Sequence, residues 1–261
     1  MRINYSLNGD GDRALFFIHG WASDQSVWRR QVEEFKKDFQ VICVDLRGHG
    51  KSSWEDTDNL LKSFTEDILE LCGKLKLEHI NFIGWSLAGY ILFNLYKKVP
   101  ELINSLTFIT STPKFLNAPD YNCGITDANL NLLRKKLSTD FDAALKEFRL
   151  YMFSEKERAN YDFPEIWKIF MQIPSPHKTA LSLGLELLEK ADFRAELSKI
   201  NKSTLFIAGE NDLIVPAAAA QFMQHKINGS QQVIFDGSGH LPFLTQAEKF
   251  NQVLREWINK K

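Results

Sequence analysis

Ser86, Asp212 and His240 are the residues of this chain whose types and order fit one chemistry, the attack of an activated hydroxyl on an acyl carbon. A serine hydroxyl is a weak nucleophile at neutral pH. A histidine has to take its proton during attack and return it to the leaving group, and a carboxylate has to hold the imidazole in the useful tautomer and stabilise its cation. The serine stands at the apex of Gly84-Trp-Ser-Leu-Ala-Gly89, which continues the apolar run His79-Ile-Asn-Phe-Ile83. A strand that turns this sharply into a helix needs small residues two before and two after the apex, and Gly84 and Ala88 supply them. Ala88 departs from the strict G-x-S-x-G spacing, and its methyl group fits if the helix stands slightly farther from the strand. Alone, the segment reads equally well as a strand-to-helix turn whose serine caps the helix.

The rest of the chain separates these readings. Ser203-Thr-Leu-Phe-Ile-Ala208 reads as a buried strand, and Gly209-Glu-Asn-Asp212 follows it at once, which places Asp212 just past the strand's C-terminal end. A helical stretch opened by Pro216 comes next, then a strand over Gln231–Phe235, then the loop Gly237-Ser-Gly-His240. Three residues far apart in sequence thereby converge on the carboxyl edge of one parallel sheet, where open α/β sheets bind ligands. Asp236 competes for the acid role, but an aspartate before Gly-Ser-Gly is a turn former. His19 and His49 lie in glycine-bearing turns, and His79, His177 and His225 have no catalytic context. None of the histidines shows a metal-ligand spacing and the three cysteines form no C-x-x-C pair, so neither a metal nor a cofactor is expected. The tetrahedral oxyanion would need fixed donors. The expected ones are the backbone N–H groups of Leu87, which opens a helix whose dipole favours negative charge, and of Trp21, in the loop after the first long strand.

These residues need a scaffold, and the hydrophobic pattern provides one. Strands at about 14–18, 40–44, 79–84, 104–110, 203–208 and 231–235 alternate with helical segments, the signature of an α/β fold with a mainly parallel sheet flanked by helices. Ser63-Phe-Thr-Glu66 has the form of a capping box opening one of the helices. The rhythm breaks between Pro113 and about Lys190, where helical periodicity replaces strands. The expected organisation is a core over 1–112 and 191–261 with a helical lid over 113–190. Phe148, Tyr151, Met152, Phe153, Phe163, Trp167, Phe170 and Met171 in this insertion either pack it onto the core or line an apolar pocket for a medium-length acyl chain. Arg149, Lys156 and Arg158 alternate there with Glu155 and Glu157, which fits a solvated helix face or a docking surface for an acidic carrier protein.

At 261 residues, 44% of them hydrophobic, the chain can fill one large domain, and a formal net charge of −1 argues against nucleic acid or an anionic membrane as partner. The N-terminus has no apolar signal region and no stretch reaches about 18 uninterrupted apolar residues. Cys43 and Cys72 fall in apolar surroundings, as in reduced core positions. The expectation is a cytoplasmic monomer.

Four blocks, His19-Gly-Trp-Ala-Ser-Asp-Gln-Ser-Val-Trp28, Asp45-Leu-Arg-Gly-His-Gly-Lys-Ser52, Gly84-Trp-Ser-Leu-Ala-Gly89 and Gly239-His-Leu-Pro-Phe243, resemble the α/β-hydrolase superfamily over nearly the whole chain. That superfamily carries its serine, acid and histidine in the order found here. More narrowly, Trp21, Trp85 and the segment Gly184–Arg194 resemble the pimeloyl-[acyl-carrier protein] methyl ester esterases of biotin synthesis. The resemblance implies hydrolysis of a methyl ester on a carrier-bound dicarboxylic acyl chain, with release of methanol. It maps Trp21, Ser86, Leu87 and His240 onto the substrate site, and Phe148 onto a lid position that contacts the acyl chain. It also implies an acyl-carrier protein partner gripped by basic lid residues, although those here are not clearly in register. Two alternatives use the same residues: a general short-chain carboxylesterase acting on small esters, and a carbon-carbon bond hydrolase. A non-catalytic ligand-binding protein of this fold would more often lack one member of the triad.

Overall fold

In the computed structural model, which describes residues 2–260, every apolar run read as a strand pairs into one sheet. The strands are β1 (Tyr5–Asn8), β2 (Ala14–Ile18), β3 (Gln40–Val44), β4 (Ile80–Trp85), β5 (Ile103–Ile109), β6 (Ser203–Gly209) and β7 (Gln231–Phe235). Their order across the seven-stranded sheet is β1-β3-β2-β4-β5-β6-β7. All neighbours are parallel except β1, which pairs antiparallel to β3 with Tyr5 opposite Val44 and Asn8 opposite Val41. β1 has no counterpart in the sequence reading. It is a four-residue edge strand with no apolar run, its Leu7 is exposed, and β3 supplies its pairing.

The helices are α1 (Arg29–Phe35), α2 (Leu60–Leu75), α3 (Ala88–Lys98), α4 (Asp127–Thr139), α5 (Phe141–Tyr151), α6 (Glu155–Arg158), α7 (Phe163–Met171), α8 (Lys178–Lys190), α9 (Ala217–Lys226), α10 (Pro242–Thr245) and α11 (Ala247–Asn259). α2 corrects the expected capping box. The helix starts at Leu60, and its cap is Asn59, whose side chain accepts from the Lys62 N–H. Ser63 lies inside the helix, where its hydroxyl meets Thr57 Oγ1 at 2.7 Å. The earlier start gains a turn that buries Leu60, and asparagine caps as well as serine does. A complete capping box does occur at α6, where the Ser154 hydroxyl accepts from the Glu157 N–H and the Glu157 carboxylate accepts from the Ser154 N–H.

α4 to α8 all fall between β5 and β6. β2, β4, β5 and β6 are buried along most of their length, as expected for parallel strands covered on both faces. Level register across Ile18–Gly84, Trp85–Ile109, Ile109–Ile207 and Gly209–Phe235 brings the C-terminal ends of five neighbouring strands to one line. That line is the edge on which the chemistry-bearing turns sit. Cys43 and Cys72 are buried, and burial pushes both thiols up, that of Cys72 to about 12.

Candidate active site

β4 ends at Trp85 and α3 begins at Ala88, so the turn between them has room for two residues. Ser86 takes it with φ of 57°, a left-handed conformation that a non-glycine residue adopts only under constraint. The constraint is visible: the Ser86 N–H donates to Ile109 O at 2.9 Å, and the Ser86 carbonyl accepts from the Gly89 N–H at 2.9 Å and from Ser111 Oγ at 3.0 Å. The small residues around the apex are required by close approach. A Cβ on Gly84 would lie 3.0 Å from Leu92, and one on Gly20 would lie 3.1 Å from the Ser86 Cβ. Gly20 therefore presses the turn after β2 against the serine, with Trp21 next in the chain.

Asp212 follows β6, and His240 lies in the loop after β7. The His240 Nδ1 and Asp212 Oδ2 are 2.6 Å apart, with both side chains almost wholly buried. The other oxygen of Asp212 accepts from the N–H groups of Ile214 and Val215 at 2.8 and 3.0 Å, which fixes the carboxylate. In this arrangement Nδ1 carries the proton shared with Asp212 and Nε2 is the basic nitrogen; Nε2 is buried without a hydrogen-bond partner. The histidine's own backbone is clamped on both sides. Its N–H donates to Met152 O at 2.7 Å, and its carbonyl accepts from Trp85 Nε1 at 3.0 Å and Thr110 Oγ1 at 3.1 Å. Trp85 and Thr110 flank Ser86 and its partner Ile109, so these bonds tie His240 to the elbow. Nothing in the sequence pattern marks the Thr110 hydroxyl or the Met152 carbonyl, because each meets the His240 backbone only through tertiary contact.

The other residues singled out by sequence fall on both sides of expectation. Leu87 immediately precedes α3, and Trp21 lies in the turn after β2. The Trp21 indole donates to Leu181 O at 3.0 Å and packs edge-on against Phe148 with ring centroids 4.8 Å apart. A Cβ on Gly184 would lie 2.6 Å from that indole, so α8 needs a glycine where it crosses. Trp21, Ser86, Phe148, Tyr151 and Met152 all line a cavity of about 370 Å³, whose remaining walls come mostly from α4, α8 and the Leu213–Ile214 turn. Its polar wall residues include Asn129 and the ion pair between Lys136 and Glu147 at 2.6 Å.

Arg149 departs from its expected docking role. It is buried at 3% exposure, its guanidinium donates to Ala22 O at 3.3 Å and stands over the Phe170 ring, and burial lowers its pKa. α5 points this side chain at the turn after β2 because its other faces carry the cavity wall and the solvated residues, so no carrier protein can reach it. Lys156 is exposed and paired with Asp236 at 3.1 Å, and Arg158 is exposed. Glu157, read as one of the solvated charges, is buried, and the S-x-x-E spacing from Ser154 was the signal that could have found it. Of the competing histidines, His19 accepts from the Leu46 N–H through Nε2 at 3.0 Å and bonds its own turn through Nδ1, while His49 stands beside it. Burial lowers the pKa of both, so they serve as neutral struts of the turns after β2 and β3. Among the described residues no group of three or more His, Cys, Asp or Glu side chains could hold a metal ion.

The family model of the alpha/beta hydrolase fold matches residues 13–247. The chain belongs to this family. A pimeloyl-[acyl-carrier protein] methyl ester esterase of Nitrosomonas europaea is 33% identical over 249 residues, covering 95% of this chain and 96% of the relative. One of the same name from Vibrio cholerae is 28% identical, covering 100% and 99%. Among solved structures, a bromoperoxidase from Bacillus anthracis superposes with a TM-score of 0.89 at 26% identity, covering 98% of this chain and 95% of that one. An esterase from Exiguobacterium antarcticum gives 0.88 at 24% identity, covering 98% and 95%, a likeness of fold alone.

Proposed function

We propose that this chain is a carboxylic ester hydrolase that cleaves the methyl ester of a pimeloyl chain carried on acyl-carrier protein, through an acyl-enzyme on Ser86. One observation carries the chemistry: a buried His240–Asp212 pair at 2.6 Å on the strand edge that also holds Ser86 in a strained turn. The curated relatives that span nearly the whole chain and bear this activity in their names support the substrate.

Ser86 Oγ attacks the ester carbonyl while His240 Nε2 takes its proton, and Asp212 stabilises the resulting imidazolium. The N–H groups of Leu87 and Trp21 receive the oxyanion, and losing one such donor costs about 3 kcal/mol of barrier. Collapse of the tetrahedral intermediate breaks the bond to methoxide, which leaves as methanol with the proton from Nε2. Water, deprotonated by the same nitrogen, then attacks the acyl carbon, and the bond to Ser86 Oγ breaks as that oxygen takes the proton back from Nε2, freeing the acid. The segment 113–190 acts as the lid, and Phe148, Tyr151 and Met152 hold the acyl chain. A cavity of about 370 Å³ with mostly apolar walls is in the range of small-ligand sites. Lys156 and Arg158 are the exposed cations left to meet an acidic carrier.

The test is complementation of a biotin auxotroph that lacks its own methyl ester esterase, beside methanol release from pimeloyl-carrier methyl ester in vitro. Growth with the wild type and none with Ser86→Ala is the expected result. Arg158→Glu should weaken cleavage of the carrier ester, most at low salt, and leave a small p-nitrophenyl ester unaffected. An esterase-active, well-expressed protein that neither rescues growth nor releases methanol is a general carboxylesterase instead.

A further inference from the structure

The four residues Gly237, Ser238, Gly239 and His240 are each hydrogen-bonded to the stretch 152–157, from which α7, α8, β6, α9 and β7 separate them in sequence. The Gly237 carbonyl accepts from Ser154 Oγ at 2.7 Å, and the His240 N–H donates to Met152 O at 2.7 Å. The two residues between them converge on one carboxylate. Glu157 Oε2 accepts from the N–H groups of Ser154 at 2.8 Å and Gly239 at 3.0 Å, and Oε1 accepts from Ser238 Oγ at 2.8 Å and Thr245 Oγ1 at 2.5 Å.

We propose that Glu157 is a positioning residue for the base: its carboxylate holds the Asp236–His240 loop, and with it the His240 imidazole, at catalytic distance. The proposal rests on the reading of His240 as the base. A capping box at α6 accounts for one of the four bonds, that from Ser154. The other three reach the histidine loop and α10, which a helix cap has no need to touch. A buried carboxylate is costly unless its oxygens are satisfied, and these four neutral donors satisfy both. The contact leaves no slack: a Cβ on Gly239 would lie 2.5 Å from Met152 O and 2.9 Å from Glu157 Oε2. The loop therefore cannot shift without breaking these bonds, and a misplacement of about 1 Å in a catalytic group costs on the order of 10²-fold in rate.

Glutamine is the discriminating substitution. Its amide oxygen can occupy the Oε2 position facing the two backbone N–H groups, and its NH₂ then faces the hydroxyls of Ser238 and Thr245, which can rotate to accept. Glu157→Gln should keep the geometry and retain kcat for a short p-nitrophenyl ester within about fivefold. Glu157→Ala should lower kcat, and the rate of fluorophosphonate labelling of Ser86, by about 10²-fold with KM within about threefold. Rates are taken per folded molecule, with the Tm measured alongside. An alanine variant that melts lower yet labels and turns over at the wild-type rate makes Glu157 a helix cap only and overturns the proposal. Should the alanine variant fail to fold, Ser238→Ala and Thr245→Val remove loop-side bonds and leave the cap intact. Each should slow labelling roughly 3- to 10-fold, and wild-type rates in both overturn the proposal equally. Failure of the wild type itself to label at Ser86 would instead overturn the role of His240 on which the proposal stands.

Discussion

The sheet edge and the helices of 127–190 meet at the same cavity but are built to different tolerances. At the edge, Trp85 and His240 are at most 1% exposed and Asp212 is 6% exposed, and each is fixed by two or more hydrogen bonds or ring contacts. On the helical side, Tyr151 and Leu132 line the same cavity while more than half exposed. Reacting atoms must be placed to a fraction of an ångström, whereas an acyl chain is bound by area and tolerates movement. The difference fits the proposed division, with chemistry at the edge and selection of substrate by the helices.

The sharpest way to break this contrast is at the serine. Ser86→Ala should turn over short p-nitrophenyl esters at least ~10³-fold more slowly, and a fluorophosphonate should label the wild type once, at Ser86. Labelling elsewhere, or an active alanine variant, would remove the edge from the chemistry.

The next effect concerns the turns that support the edge. Burial, and next the neighbouring His19, hold the His49 imidazole down to about 3 from an ordinary 6.5, while the Arg47 carbonyl and Asp45 act the other way. Its native pKa lies below its unfolded one, so on acidification the unfolded chain takes up this proton first. Stability is unaffected by this group above about pH 6.5 and falls as pH drops toward 3. Between pH 7 and 5 the loss from His49 alone is about 2 kcal/mol. Urea melts at both pH values should show a smaller loss for His49→Asn, whose amide can still donate to the Arg47 carbonyl. An equal loss in the variant would place the acid sensitivity elsewhere.

The smallest effect should come from the helices. Phe148→Ala removes a ring of the cavity wall whose contact with an acyl chain is worth roughly 1.5 kcal/mol, so KM for a p-nitrophenyl octanoate should rise about tenfold. The corresponding acetate should change by less than about twofold. Equal losses on both esters would mean that Phe148 supports the edge through Trp21 rather than the acyl chain.

The chain's own periodicities determined the six long strands, the interruption after β5, and the order of Ser86, Asp212 and His240 along one sheet edge. Buried parallel strands are continuous apolar runs, and a tight strand-to-helix turn demands small residues at fixed offsets, so both are written locally. The tertiary structure decided what depends on partners distant in sequence. β1 exists because β3 offers an edge, and Asn59 caps α2 because an earlier start buries Leu60. Arg149 and Glu157 sit in the same run of alternating charges as Lys156 and Arg158, and composition cannot say which of the four face inward. The buried pair turn toward Ala22 and toward the histidine loop because α5 and α6 cross those turns, and burial of a charge is set by what packs over it, not by its neighbours in sequence.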